Sequence, residues 1–398
     1  MASPACGGDN AQGESMHKPL SGIRILTIEQ YGAGPYGTQL LASLGADVIK
    51  IENPATGGDS ARHVGPHGLG EADSEFFQTF NRNKRSVALD LKDAADRKKF
   101  DRLVKTADAV ANNLRGDQPA RLKLDYAALS AIRPSIVCAH LSAYGRGGSR
   151  EAWPGYDYLM QAEAGFLSLT GEPDAPPARF GLSMVDFMTG TMMATGLVSA
   201  ILGAQRTGKG CDVDVSLLDT ALHQLSYPAT WYLNEGTVTR RVARSAHPSV
   251  APSQLFRTKD GWIFLMCQLP KFWEVFCREA GCEALLEDER FATPGARAQN
   301  REALTGALDA VFQTASTADW MARLGGKVPA APVHDIAQAL CAPDAQALVE
   351  TVEHPARQAG LKLLREPFRI NGERPSGRRA PRLGEHTEEV LGEGDPGS

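Results

Sequence analysis

The first candidate site in the sequence is the run GAGPYG at residues 32–37, a literal G-x-G-x-x-G. The run follows the strand-like segment IRILTIE, and a second strand-like segment, DVIKIE, ends at Glu52, twenty residues after Gly32. In dinucleotide-binding folds such glycines let the backbone approach a pyrophosphate, and an acidic residue about 20 positions further on binds a ribose. Taken alone, the spacing indicates a nicotinamide-type nucleotide site.

Two details of the same run argue against nicotinamide binding. Glu29, Gln30 and Tyr31 separate the strand from the first glycine, whereas in a true fingerprint the strand runs straight into it. Pro35 stands at the start of the helix, where backbone N–H groups should meet the pyrophosphate, and proline has none. We therefore interpret the glycines as positions where another backbone segment or a ligand comes close.

A second candidate is Asp186, in the sequence SMVDFMTG, just before a long apolar helical pattern over 187–204. An aspartate at such a position commonly caps the helix. A carboxylate is also a weak nucleophile that can carry an acyl group reversibly. The residues by themselves leave both roles open.

Composition excludes some classes of partner. The chain has 398 residues, of which 42% are hydrophobic and 22% charged, and its formal net charge is −5. This balance argues against nucleic acid or an anionic membrane as the main partner. The segment 187–204 is apolar, but glycine, threonine and serine dilute it, so we interpret it as a buried core helix rather than a membrane span.

The seven cysteines are scattered, odd in number and contain no C-x-x-C. Their spacing predicts neither a zinc site nor a disulfide framework, so we expect no metal site. Unpaired cysteines fit a reducing compartment, and we expect a cytoplasmic protein.

The elements that would position the candidate residues alternate between strand and helix. Strand-like segments at 23–29 and 47–52 are followed by SVALDL, DAVANNL, PSIVCAHLSA and CDVDVSL, with helical patterns between them, one of them near 118–130. This alternation predicts an α/β fold in which a doubly wound, Rossmann-like parallel sheet carries helices on both faces.

The pattern changes after Tyr227. Residues 235–255 are rich in Arg, Ser and Pro, and LFRTKDGWIFLMC then predicts a hairpin that turns at Asp260 and Gly261. We therefore predict a disordered tail at 1–17, a large domain built from 18–227 and 331–398, and a smaller inserted α+β domain at 228–330.

Several longer motifs resemble one known family. The opening PLSGIRILTIEQYGAGPYGTQLLASLGADVIKIENPATGGDSAR is similar to the start of family III CoA-transferases, the formyl-CoA transferase or CaiB–BaiF type. The resemblance continues through FNRNKRSVALDLK, GYDYLMQAEAGFLSLTG, VDFMTGTMMATGLVSAILGAQRTGKG, HPSVAPSQLFRTKDGW and DERFATPGARAQNR, and covers roughly residues 18–392.

The resemblance implies that Asp186 is the catalytic nucleophile. In the family's reaction an aspartate attacks the donor thioester and forms a mixed anhydride, which the released CoA thiolate converts to an aspartyl-CoA thioester. The acceptor acid then reverses these steps. We expect the position at a helix N-terminus to keep Asp186 ionised.

The resemblance also implies that coenzyme A binds as a thioester substrate, with no tightly bound cofactor. Tyr31, Gly32 and Ala33 match the family's turn beside the pantetheine and thioester. The other implied coenzyme contacts are Leu89 and Lys92 near the adenine nucleotide, Asn113, Leu114, Arg115 and Arg121 on the next segment, and Tyr156 and Asp157 facing the active site. Lys92, Arg115 and Arg121 could otherwise be solvated surface charges, but the phosphates of CoA require such cations.

Two departures from formyl-CoA transferase bear on the substrate. That enzyme has glutamine where this chain has Gly32, arginine where it has Asn53, and a run of glycines over the active site that has no counterpart between 225 and 270. We therefore expect an acid larger than formate, a dicarboxylate, with succinyl-CoA as donor. Arg240, Arg241, Arg244 and His247 could bind a second carboxylate or belong to an exposed linker.

Two other functions are compatible with the same fold. Racemases related to α-methylacyl-CoA racemase pair an aspartate with a histidine, in a G-H-D thirty residues earlier, and this chain has Gly155-Tyr156-Asp157 there. Tyrosine is too weak a base to substitute easily. A non-catalytic CoA-binding protein would require Asp186 to be only a cap. The family resemblance further implies an interlocked homodimer.

Overall fold

The computed structural model describes residues 17–393, so the predicted disordered tail, apart from His17, lies outside the described residues. The chain divides into two compact units. One comprises the chain up to Asp157, Ser183–Thr220 and the chain from Gln346, and the other comprises Tyr158–Leu182 and Ala221–Ala345. The predicted domain limits of 227 and 330 differ from these points and stay a prediction.

A six-stranded parallel sheet forms the centre of the first unit, in the order β3-β2-β1-β4-β5-β6. Its strands are β1 Arg24–Ile28, β2 Asp47–Glu52, β3 Arg85–Ala88, β4 Ala109–Asn112, β5 Val137–Ser142 and β6 Cys211–Ser216. Leu26 of β1 pairs with Ile49 on one side and with Val110 on the other. The parallel α/β sheet is confirmed, and its order reverses between β1 and β4, where such sheets bind ligands at the carboxyl ends of the strands.

The remaining strands form two small antiparallel sheets. Those strands are β7 Ser253–Arg257, β8 Trp262–Met266, β9 Ala330–Pro332, β10 Val349–His354 and β11 Arg357–Leu364. β7 and β8 pair through Phe256 and Ile263, which confirms the hairpin predicted at Asp260 and Gly261.

Helices connect the strands throughout the described chain. They are α1 Ala33–Ser43, α2 Glu75–Phe80, α3 Ala94–Val104, α4 Gln118–Arg121, α5 Tyr126–Leu129, α6 Asp157–Glu163, α7 Met184–Thr207, α8 Leu217–Gln224, α9 Ser226–Glu235, α10 Pro270–Ala280, α11 Pro294–Gln299, α12 Arg301–Phe312, α13 Thr317–Leu324, α14 Ile336–Cys341, α15 Pro343–Gln346 and α16 Thr387–Gly392.

The prediction of a single helix near 118–130 is wrong, because two short helices, α4 and α5, occupy this segment. Lys123 has a φ of 53°, which ends α4, and the Asp125 side chain then caps α5 by accepting from the N–H of Ala128.

Helix α7 has one buried face and one exposed face. Its buried residues, which include Val185, Met193 and Leu197, pack against α1, β5 and β6, while Met192 and Leu202 are exposed. Among residues 17–393, α7 is the one helix long and apolar enough to cross a membrane by length and composition. The packing favours a core helix over a membrane span, although only one of its faces is buried.

Two glycines allow α1 and α7 to cross in backbone contact. A Cβ atom on Gly37 would collide with the carbonyl oxygen of Gly190, and a Cβ atom on Gly190 would collide with the carbonyl oxygen of Ala33. Because only glycine fits at both positions, the crossing fixes the start of α7 against the start of α1. Asp186 lies one turn before Gly190 and is thereby brought to the carboxyl end of β1.

The second unit has its own hydrophobic core. Phe256, Phe276, Phe312 and Trp320 are fully buried there, in one cluster that the hairpin and the helices from α10 to α13 surround. The indole N–H of Trp320 donates to the carbonyl oxygen of Phe312, so its one polar atom is satisfied. None of the charged residues predicted to act on the substrate lies in this core.

Candidate active site

A cavity of about 460 Å³ opens at the carboxyl ends of the central strands of the first unit. Eight of the predicted site residues line it: Tyr31, Gly32, Ala33, Asn113, Leu114, Arg115, Tyr156 and Asp186. They come from the segments that directly follow β1 and β4, from the residue before α6 and from the first turn of α7. The sequence resemblance and the strand-end position therefore agree on one location.

The cavity also has lining residues that sequence reasoning missed. These are Gln30, Ser60, Gln118, Leu141, Ser142, Ala143, Pro154, Gly155 and Leu217. Most of them follow a strand end or flank a predicted residue, so applying the carboxyl-end rule to β5 and β6 would have found several.

Asp186 is not the N-cap of α7. Ser183 occupies that position, and Asp186 lies in the first helical turn. A Cβ atom on Gly32 would lie 2.8 Å from Oδ2 of Asp186, so the carboxylate fills the space that a side chain at residue 32 would take. The capping role that the sequence left open is therefore excluded, and the carboxylate faces the cavity beside the glycine turn.

The electrostatic setting of Asp186 differs from the expectation. Burial of the carboxyl and the negative charge of Asp157 raise the pKa of Asp186 to about 7. The structure does not support the expectation that the helix N-terminus keeps this residue ionised, because desolvation and the like charge oppose the helix dipole. Near neutral pH the two protonation states of Asp186 are about equally populated.

Asp157 lies beneath the cavity rather than in its lining. Its side chain is buried, and Oδ2 accepts a hydrogen bond of 3.0 Å from the backbone N–H of Asp186. Tyr156, immediately before it, is 64% exposed and lines the cavity. Asp157 therefore holds the start of α7, while Tyr156 is available to a ligand.

Each glycine of GAGPYG has a different close neighbour. Gly32 abuts the carboxylate of Asp186, and a Cβ atom on Gly34 would lie 2.9 Å from Cβ of Asn113. Gly37 meets the backbone of α7, as described above. The interpretation of the glycines as positions of close approach is confirmed, and each contact helps to build the cavity wall.

Four predicted coenzyme residues lie outside the cavity lining. Leu89 is 1% exposed and packs in the core, so only its backbone could meet a ligand. Lys92 is exposed on the loop after β3. Arg121 forms an ion pair of 3.0 Å with Asp117, which Arg115 also approaches at 3.3 Å. The contacts predicted between coenzyme A and Leu89, Lys92, Arg121 and Asp157 stay predictions.

Two of the four basic residues predicted near 240 are engaged within the second unit. Arg241 donates to the carbonyl oxygens of Ala175 and Pro176, and Arg244 pairs with Asp309. These contacts favour a structural role over the binding of a second carboxylate. Among the described residues, no group of three or more His, Cys, Asp or Glu side chains is placed to hold a metal ion.

Comparison with known proteins gives a consistent result. Residues 20–387 match the CoA-transferase family III. The chain is 33% identical over 389 residues to succinate–glutarate CoA-transferase of Agrobacterium fabrum, covering 94% of this chain and 95% of that protein. It is 32% identical over 390 residues to succinyl-CoA:mesaconate CoA-transferase of Haloarcula hispanica, covering 95% and 97%.

A solved structure agrees with the sequence comparison. The crystal structure of a CAIB/BAIF family protein from Brucella suis superimposes with a TM-score of 0.83 at 33% identity, over 95% of this chain and 100% of that one. The chain therefore belongs to CoA-transferase family III.

Proposed function

We propose that this CoA-transferase moves CoA from an acyl-CoA donor, with succinyl-CoA favoured, to a dicarboxylic acid through covalent intermediates on Asp186. The observation that carries the proposal is the carboxylate of Asp186, which faces the cavity against the side-chain-free Gly32. The relatives named for glutarate and mesaconate support a dicarboxylate acceptor and a succinyl donor.

The proposed reaction begins at a carboxylate oxygen of Asp186. This oxygen attacks the thioester carbonyl, the C–S bond breaks, and the products are an aspartyl–acyl anhydride and CoA thiolate. The thiolate attacks the aspartyl carbonyl, which releases the donor acid and leaves an aspartyl-CoA thioester. The acceptor carboxylate then attacks this thioester, and the released thiolate converts the second anhydride to the new acyl-CoA while restoring Asp186.

The geometry of the cavity fits these steps. Because residue 32 has no side chain, the carboxylate of Asp186 can lie against the backbone of the turn and still line the cavity that would receive the thioester. Arg115 stands at the cavity wall as a cation for the diphosphate of CoA, and its pairing with Asp117 leaves it 46% exposed. Each step uses this chain's own residues and requires no metal ion.

A racemase reaction is the alternative on the same fold. It requires a second base close to Asp186 to return a proton to the opposite face of the α-carbon. The described residues that line the cavity include Tyr156 but no histidine. We therefore favour transfer. Exchange of the α-proton of a 2-methylacyl-CoA for deuterium, without any acceptor acid, would reverse that preference.

We further propose that two copies form a homodimer, interlocked as the family resemblance implies. The exposed face of α7 supports this, because Met192 and Leu202 are 41% and 48% exposed on an otherwise apolar helix. Large apolar side chains that a single folded chain leaves exposed are candidates for burial at an interface. Sedimentation at micromolar concentration tests the proposal, and a monomer there would overturn it.

The decisive experiment for the function is to trap the covalent intermediate. Incubation with succinyl-CoA should add the mass of CoA, less water, to a peptide that contains Asp186, and hydroxylamine should convert that adduct to a hydroxamate. The Asp186→Asn variant should remain unmodified. A panel of acyl-CoA donors and carboxylic acids, with new thioesters detected by mass spectrometry, then identifies the substrates. An unmodified wild-type enzyme that still transfers CoA would refute the mechanism.

A further inference from the structure

A cluster of buried charged side chains lies beneath the glycine turn. It consists of Glu29, Lys50, Asp59 and Lys84, and each of these side chains is at most 1% exposed. Lys50 Nζ lies 2.8 Å from Asp59 Oδ2, and Lys84 Nζ lies 2.8 Å from Glu29 Oε1. Burying two ion pairs is at best a weak source of stability, because the desolvation of the charges opposes their attraction.

The cluster binds the backbone of the turn at three successive points. Lys50 donates to the carbonyl oxygen of Glu29, before the turn, and Lys84 donates to the carbonyl oxygen of Pro35, after it. Asp59 accepts from the N–H of Tyr31, in the middle. Backbone hydrogen bonds to charged groups are about twice as strong as neutral ones. The segment 29–35 is thus held from below along its whole length.

Tyr31 needs such support. Its φ is 70°, a left-handed conformation that is uncommon for an aromatic residue and that costs on the order of 1 kcal/mol. From above, Asn113 accepts from the N–H of Gln30 and donates to the carbonyl oxygen of the same residue, at 2.9 and 2.7 Å. The bend at Tyr31 turns the chain so that Gly32 faces Asp186.

We propose that Asp59, Lys50, Lys84 and Asn113 are positioning residues for CoA transfer, which hold the 29–35 turn so that its backbone at Gly32 stands against the nucleophile. This inference rests on the proposed role of Asp186. None of the three buried members lines the cavity, so they act through the turn. Asn113 differs from them in that it also lines the cavity, and it reaches the turn through its two hydrogen bonds to Gln30.

The test measures how fast the aspartyl-CoA adduct forms on Asp186 at saturating succinyl-CoA. The reaction is quenched rapidly, and mass spectrometry of the intact protein detects the adduct. Asp59→Asn removes the charge that binds Tyr31 and Lys50. Asn113→Ala removes both hydrogen bonds to Gln30 at a half-buried loop position. A displacement of about 1 Å should slow formation of the aspartyl-CoA adduct about 100-fold in each variant. The KM for the donor should stay within about threefold of wild type.

Asp73→Asn is the matched control. Asp73 is a buried aspartate in the same compact unit, 3.0 Å from His354, and none of its described hydrogen bonds reaches the turn. It should lose stability but form the adduct at the wild-type rate. If Asp59→Asn does not fold, Asn113→Ala decides the outcome.

Two results would overturn the inference and are distinguishable. Adduct formation at the wild-type rate in both variants, or a loss that appears only in KM, would refute the positioning role while the function of Asp186 stands. A wild-type enzyme that forms no adduct would refute the proposed function and this inference together.

Discussion

Two buried carboxylates in the same compact unit have opposite electrostatic settings. At Glu29, burial alone would raise the pKa, but Lys84 and Lys50 hold it below its ordinary value. At Asp186, burial and the neighbouring Asp157 act in the same direction and raise the pKa to about 7. Both carboxylates are buried, so the charges beside them account for the difference. Glu29 lies beside two lysines and stays ionised, whereas Asp186, the proposed nucleophile, lies beside Asp157 and has a pKa near neutral pH.

The largest expected effect comes from removing the proposed nucleophile, Asp186. Asp186→Asn should lower CoA transfer by several orders of magnitude, as loss of an essential covalent nucleophile does, while CoA binding changes little. Steady-state transfer and equilibrium binding of CoA measure the two effects. A folded Asp186→Asn enzyme that transfers CoA at near the wild-type rate would show that the carboxylate is not the nucleophile.

The same acid-to-amide change should have opposite effects on stability in the two regions. The folded-state pKa of Asp186 is raised, so folding binds an extra proton and stability is lost as pH rises from about 4 to about 7. Asp186→Asn does not ionise, so it escapes this loss and should be more stable than wild type by on the order of 4 kcal/mol at pH 8. Glu29→Gln leaves Lys84 without its ion-pair partner, while Lys50 keeps Asp59, and should cost about 3 kcal/mol at pH 8.

Urea unfolding at pH 8 and pH 5 checks these stabilities. The gain from Asp186→Asn should shrink at pH 5, because the wild-type carboxyl is then mostly protonated. The loss from Glu29→Gln should persist there, because its lowered pKa keeps Glu29 ionised at that pH. If the free energy of unfolding at pH 8 changed in the same direction in both variants, the two carboxylates would not have opposite electrostatic settings.

Adding one methyl group at Gly32 tests how closely the turn must approach the nucleophile. Gly32→Ala should displace the Asp186 carboxylate and slow transfer about 100-fold. Its stability should change little, because the atom it meets is the end of a flexible side chain. Gly37→Ala provides the comparison for stability, because its Cβ meets backbone and it should destabilise the fold by about 1–3 kcal/mol. Thermal unfolding and transfer rates distinguish them, and equal stability losses would contradict the account.

The charge of Asp186 should also set the pH dependence of the reaction. Only the ionised form of Asp186 is nucleophilic, so kcat/KM should rise about tenfold per pH unit below a midpoint near 7 and then level off. Asp157→Asn removes the like charge and should move the midpoint to lower pH. A profile that is flat between pH 5 and 8 would show that Asp186 is ionised throughout.

Much of the fold followed from local pattern. The strands from β1 to β6 and the hairpin of β7 and β8 have alternating or continuous apolar runs bounded by turn residues, which are visible without tertiary information. The break between α4 and α5 was missed because it depends on a positive φ at Lys123, and lysine, unlike glycine or asparagine, is not a residue that predicts such a conformation. Asp186 was found through family motifs, since spacing alone could not separate a cap from a nucleophile.

The surroundings of the site were less predictable. Lys50 and Lys84 would ordinarily be assigned to the surface, and their burial depends on Glu29 and Asp59, which lie in other segments of the chain. The raised pKa of Asp186 likewise depends on Asp157, which the resemblance placed at the site without showing which backbone group it binds. Such properties arise from contacts between segments, and no local pattern encodes them.

The crossing of α1 and α7 at Gly37 and Gly190 has a consequence for how acceptor range can evolve or be engineered. The position of Asp186 depends on a backbone contact between the two helices. Other side chains that line the cavity can therefore change without moving the nucleophile. Libraries that vary Leu141, Ala143, Pro154 and Leu217 should therefore yield enzymes with altered acid preference that keep their chemistry. Libraries that include either glycine of the crossing should yield mainly inactive chains.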